Sequence, residues 1–135
     1  MLRIGIIIGS TRPGRNGKDV GTWVRDLAAA HAGSVAGFDL VDLAELALPL
    51  LDEAVPAAQA PGRQPHTVRW AQRVGAYDAF IMVTPEYNTA FGGLTHFQPR
   101  DLHTMQLHGL VNELLAWAQA LRPLRAAPLV LHPTA

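Results

Sequence analysis

The sequence contains no cysteine, which excludes disulfides, thiolate metal sites and a cysteine nucleophile. It has no surplus of either charge: 11 Lys and Arg balance 11 Asp and Glu. Bulk charge therefore draws it neither to nucleic acid nor to an anionic membrane. No apolar run approaches the ~20 residues of a membrane span. The opening "LRIGIII" is broken by glycine and followed by no small-residue cleavage site, which argues against a signal peptide. Together these absences read as a soluble, cytoplasmic chain with no nucleic-acid or membrane partner. Its 135 residues, 49% of them hydrophobic, suit a single domain, 1–135, that buries roughly two thirds of its unfolded surface.

What is present begins with alternation. Residues 3–8 are continuously apolar and β-branched, as in a strand buried on both faces of a parallel sheet. Residues 18–31 place Val20, Trp23, Val24, Leu27 and Ala28 at i, i+3, i+4, i+7 and i+8, an amphipathic helix. "AGFDLVDL" (36–43) reads as a second strand. The Pro-rich stretch 44–65 reads as a helical turn followed by a mobile surface loop. Residues 66–75 form a second helix with Val68, Ala71 and Val74 inward, and "YDAFIMVTP" (77–85) a third strand. Strands alternating with helices predict a parallel sheet covered by helices. Beyond Pro85 the period is lost until "LVNELLAWAQALRPLR" (110–125), a strong helix limited by Pro123, whose nitrogen cannot donate. The tail "APLVLHPTA" suits a short edge strand, 128–132, or no regular structure.

The densest chemistry lies in "GSTRPGRNG" (9–17), between the first strand and its helix. Backbone amides at a helix N-terminus converge with favourable dipole charge, and glycines allow close approach and anion nests. Ser10 and Thr11 add hydroxyls; Arg12 and Arg15 add forked cationic donors. Asn16 caps the helix, meets the ligand, or both. This is a phosphate site. It is not an ATP/GTP P-loop, since Asp19 follows Gly17-Lys18 and Arg12 replaces the first glycine. Nor do Gly9, Gly14 and Gly17 match the dinucleotide fingerprint. A loop lined with hydroxyls and arginines suits a terminal phosphomonoester.

Other polar groups carry less. His96, His103 and His108 with Asp101 match no compact metal motif and read as a solvated loop. Asp52-Glu53 reads as a loop end, Ser10 lacks a nucleophile elbow, and Trp23, Trp70 and Trp117 read as packing residues.

"IGIIIGSTRPGRNGKDVGTWV" followed by "DAFIMVTPEYN" resembles the NADPH-dependent FMN reductase family, strongly over residues 1–93. The resemblance implies a flavodoxin-like three-layer α/β/α sandwich with a parallel sheet. It also implies FMN as cofactor and NADPH or NADH as donor. Hydride would pass from nicotinamide to flavin and on to a quinone, azo compound, flavin or metal. Ser10, Thr11, Arg12, Arg15, Asn16 and Gly17 correspond to the phosphate loop, and Pro85, Glu86, Tyr87 and Asn88 to the ring side. No side-chain acid or base is implied. A fourth strand with its turn is not found, so the fold is expected in reduced form, with 97–125 resembling the family's C-terminal helix region. Such a sheet leaves its third strand as an edge, and the apolar faces of the 110–122 helix call for cover, which argues for a homodimer. The alternative is a degenerate, non-enzymatic flavodoxin-like module with weak or no FMN binding.

Overall fold

The computed structural model describes residues 1–85 and 97–126. Three parallel strands, β1 (Leu2–Ile8), β2 (Ala36–Asp42) and β3 (Ala79–Val83), form one open sheet in the order β2-β1-β3. Its helices are α1 (Gly17–Ala32), the short α2 (Leu43–Leu46), α3 (Pro65–Gly75) and α4 (Asp101–Ala126). The central strand is aligned so that Ile8 sits beside Asp42 on one flank and Val83 on the other.

Alternation along the strands sorts the two faces. Leu2, Ile4 and Ile6 of β1 are buried with Phe38 of β2, Val24 and Ala28 of α1, and Leu107, Val111 and Ala118 of α4. Close approach of α1 requires Gly21: a Cβ there would lie 2.9 Å from both Cδ1 and Cγ1 of Ile8. The opposite face is smaller and more polar. Gly5 makes room for Phe80 and Tyr77, whose rings meet edge to face at 5.7 Å. Arg3 pairs with Asp39 at 3.0 Å and lies over the Tyr77 ring. Helix α3 borders this face, where Arg73 donates to the Leu40 carbonyl at 3.5 Å.

The flavodoxin-like α/β reading holds in its reduced form, with β3 at the sheet edge among the described residues. Several boundaries move. The last helix begins at Asp101 rather than 110, so His103 and His108 lie on a helix and not in a loop. His103 accepts the Arg100 amide through Nδ1, and His108 stacks on His31 of α1 at 4.2 Å. Pro123 lies inside α4 rather than limiting it. It falls in the last turn, where its missing amide leaves the carbonyl of the exposed Gln119 without its i+4 donor, and Arg125 donates to both Ala118 and Asp78 nearby. In α3, Val68 and Ala71 are exposed and only Val74 is half-buried, because a three-stranded sheet offers that helix little surface. Trp23 packs edge-on against Phe97 and Trp70 is half-buried, but Trp117 is 65% exposed. The tail 128–132 lies outside the described residues. None of the described helices is long and apolar enough to cross a membrane.

Candidate functional site

Open parallel sheets bind ligands beyond the carboxyl ends of their strands, where successive connections depart to opposite sides. In the order β2-β1-β3 that place lies between β1 and β3. The loop after β1 occupies it. The Gly9 amide donates to the Val83 carbonyl at 2.9 Å. A Cβ on Gly9 would stand 3.4 Å from that oxygen and 4.0 Å from Cδ of Pro85. The two stretches that carry the sequence signal, 75 residues apart between Ser10 and Pro85 by numbering, therefore meet at one crevice.

The loop reverses at Gly14, whose φ of 68° lies in the region that favours glycine. It enters α1 at Gly17, where a Cβ would lie 3.4 Å from Ile8 and 3.6 Å from Ser10. Ser10 is half-buried beside this turn, while Thr11 and Arg12 are exposed at its rim. Asn16 occupies the N-cap position, and its carbonyl accepts the Val20 amide at 3.0 Å. Its side chain makes no capping hydrogen bond, so the first-turn amides keep their capacity to meet an anion. Pro85 stands exposed at the opposite wall. Glu86, Tyr87 and Asn88 lie outside the described residues.

Arg15 has a different position from the one its residue type suggests. Its Nη2 donates to Oδ2 of Asp42, and the two side chains are only 14% and 4% exposed. Asp42 also caps α2 by accepting the Ala44 amide at 3.0 Å. One carboxylate thus ties the phosphate-type loop to the end of β2. Lys18 and Glu45 add a second tie at 2.9 Å. Their hydrogen bond and mutual charge raise the Lys18 pKa and lower that of Glu45. Asp42 is the site residue that sequence reading missed. Its signal was its place at the end of the second strand, level with the end of the first.

Elsewhere, the paired acids Asp52 and Glu53 are structural. Asp52 meets His66 at 2.9 Å. Glu53 accepts the amides of Arg63 and Gln64, which lowers its pKa, and so fastens the Pro-rich stretch to the start of α3.

A three-stranded parallel sheet with the loop after β1 meeting the end of β3 at its crevice is a reduced flavodoxin-like α/β fold. The profile of the family described as NADPH-dependent FMN reductase matches residues 2–97, and the chain belongs to that family. It is 33% identical over 99 residues to the NAD(P)H-dependent FMN reductase ntnL of a Nectria species, covering 70% of this chain and 49% of that protein. It is 30% identical over 93 residues to an NAD(P)H-dependent FMN reductase of Schizosaccharomyces pombe, covering 66% and 44% respectively. The chain spans about half the length of the curated relatives it matches.

The cofactor of that family is FMN with NAD(P)H as donor, and the loop fits its phosphate end. Hydroxyls of Ser10 and Thr11, amides of the first turn of α1 and the Arg12 guanidinium would be the donors to that phosphate, around a backbone that Gly9 and Gly17 let approach closely. Arg15 already pairs with Asp42, so toward such a group it would hold the loop's shape.

Proposed function

We propose that this chain binds FMN by its phosphate at the loop 9–17 and acts as an NAD(P)H-dependent flavin oxidoreductase. The acceptor is a small molecule: a quinone, an azo compound, a free flavin or a metal ion. The carrying observation is the meeting of Gly9 with Val83 and Pro85 at the sheet's switch point. When bound, FMN supplies the capacity to take hydride from a nicotinamide and pass electrons on. Ser10 and Thr11 donate to phosphate oxygens, Arg12 adds charge at the open rim, and the Arg15–Asp42 pair keeps the loop from spreading. Pro85 stands on the ring side of the crevice, the side to which the family resemblance assigns Glu86, Tyr87 and Asn88. No side chain is assigned a proton, since hydride transfer between the two cofactors requires none. The chain works in the cytoplasm as a homodimer.

The test is to purify the chain, titrate FMN, and follow NADPH and NADH oxidation with a quinone as acceptor. Saturable FMN binding with acceptor-dependent turnover supports the proposal. A second reading has its own observation: among the described residues β3 is an edge strand, with no fourth strand's turn completing that side of the crevice. On that reading the module binds FMN weakly or not at all and turns nothing over. FMN binding without NAD(P)H oxidation would select it.

A further inference from the structure

A second concave site lies between the exit of α2 and helix α3. No residue of the loop 9–17 or of 83–85 lines it. Its volume is about 530 Å³, within the roughly 300–1,000 Å³ of small-molecule sites. One wall is apolar. Ala47 takes the left-handed conformation at φ 46°, which turns the chain out of α2 and sets Leu48 and Pro49 on the cavity beside Leu46. The other wall is one face of α3. His66, Arg69, Trp70 and Arg73 fall at i, i+3, i+4 and i+7 of that helix, and all four line the cavity.

The carboxylates nearby are already engaged. Asp52 meets His66 at 2.9 Å, and Glu53 accepts the amides of Arg63 and Gln64. Asp39, which lines an adjoining cavity with Arg73, is held by Arg3 at 3.0 Å. Among the described residues neither Arg69 nor Arg73 has an ion-pair partner. Arg73 makes one long bond, 3.5 Å, to the Leu40 carbonyl. Like charges at i and i+4 of a helix repel, and an anion set between them relieves that repulsion. A bare anion would use the two guanidiniums and leave the indole and the leucines idle. A neutral apolar ligand would use the wall and leave the charges idle. A planar ring that carries an acid group uses both, its ring on apolar and aromatic surface and its oxygens in the guanidinium forks.

We infer that this cavity binds a small aromatic acid, its ring between the Trp70 indole and the 46–49 wall and its carboxylate or sulfonate held by Arg69 and Arg73. The site is separate from the flavin crevice, and it stands or falls independently of flavin binding.

The test titrates the whole chain, without flavin, with naphthoate as the probe in isothermal titration calorimetry. Naphthoate binds saturably. Naphthalenemethanol, its neutral counterpart, binds at least about tenfold more weakly, the worth of one charge-assisted hydrogen bond. Arg69→Ala and Arg73→Ala each weaken naphthoate by about the same factor, with unchanged far-UV circular dichroism; Arg69 is exposed, so its loss leaves the fold intact. Trp70→Ala weakens both probes, and Trp70→Phe, which keeps an aromatic face, restores most of the affinity. Arg63→Ala, at an exposed arginine that does not line the cavity, binds as the wild type does. No saturable binding at millimolar naphthoate, equal affinity for the neutral probe, or affinity unmoved by Arg69→Ala and Arg73→Ala would each overturn the inference. So would sulfate binding as tightly as naphthoate, or naphthoate binding lost in Ser10→Ala with Arg12→Ala, which would put the probe in the flavin crevice.

Discussion

Replacing Arg15 with alanine removes the guanidinium paired with Asp42, whose side chain is 4% exposed. Asp42 would keep the Ala44 amide and lose its hydrogen-bonded counter-charge, with only the longer-range charge of the exposed Lys18 still acting on it among the described residues. Breaking a buried pair by deleting one member costs about 3–5 kcal/mol, chiefly because the remaining charge is stranded. Arg15 is itself 14% exposed and water can follow its departure, which places the loss near the lower bound, about 3 kcal/mol. For a domain of this size about 1 kcal/mol moves the midpoint by roughly 4 °C, so Arg15→Ala should lower Tm by about 12 °C. Asp42→Asn keeps an oxygen for the Ala44 amide and should cost less. The double variant should be more stable than the sum of the single losses implies, with a coupling of at least about 1 kcal/mol. Thermal and urea unfolding of the four proteins, followed by circular dichroism, measures all of this. A Tm shift under about 2 °C for Arg15→Ala, or strict additivity, would refute the reasoning. Arg15 would then be available for ligand contact instead of anchoring the loop.

Two further outcomes follow from the packing and the charges. Gly21→Ala in a helix interior would ordinarily stabilise by up to ~1 kcal/mol, but here the new Cβ falls 2.9 Å from the buried Ile8 side chain. Overpacking of about 1–3 kcal/mol wins, so the urea midpoint should fall; a rise would show that α1 does not lie this close to β1. The lowered Glu53 pKa comes first from its bond to the Arg63 amide and then from that to Gln64. A carboxyl depressed in the folded state stabilises above its unfolded pKa and loses that contribution as pH falls through its folded one. Glu53→Gln should therefore lower Tm at pH 7, and the difference from wild type should shrink below about pH 4. A difference that persists unchanged at pH 3 contradicts the bonding.

Much of this architecture is written locally. The run "RIGIII" and the i, i+3, i+4 spacing after it mark β1 and α1 because a central parallel strand and an amphipathic helix each impose a strong period. The punctuation between them marks the loop because only glycine and short polar side chains suit a tight turn that gathers amides. What stayed hidden is non-local. Arg15 meets Asp42 through the alignment of two strands, and nothing near either residue announces it. The first turns of α4 were obscured because "DLHTMQLHG" buries only Leu107; a helix resting one residue on the core shows no clear period. The exposure of Trp117 was missed for the opposite reason. Its place in the helical period matches that of a buried position, and spacing alone does not say how far round the helix the sheet's cover extends.

The central claim is that the loop after β1 grips the phosphate of a flavin. Parallel titrations of the purified chain with FMN and with riboflavin, read by flavin fluorescence or calorimetry, test it most directly. Two charge-assisted hydrogen bonds at about 1.5 kcal/mol each predict that FMN binds roughly a hundredfold more tightly than riboflavin, and that Ser10→Ala with Arg12→Ala abolishes that preference. Equal affinity for the two flavins, or an FMN preference that survives the double substitution, would contradict it.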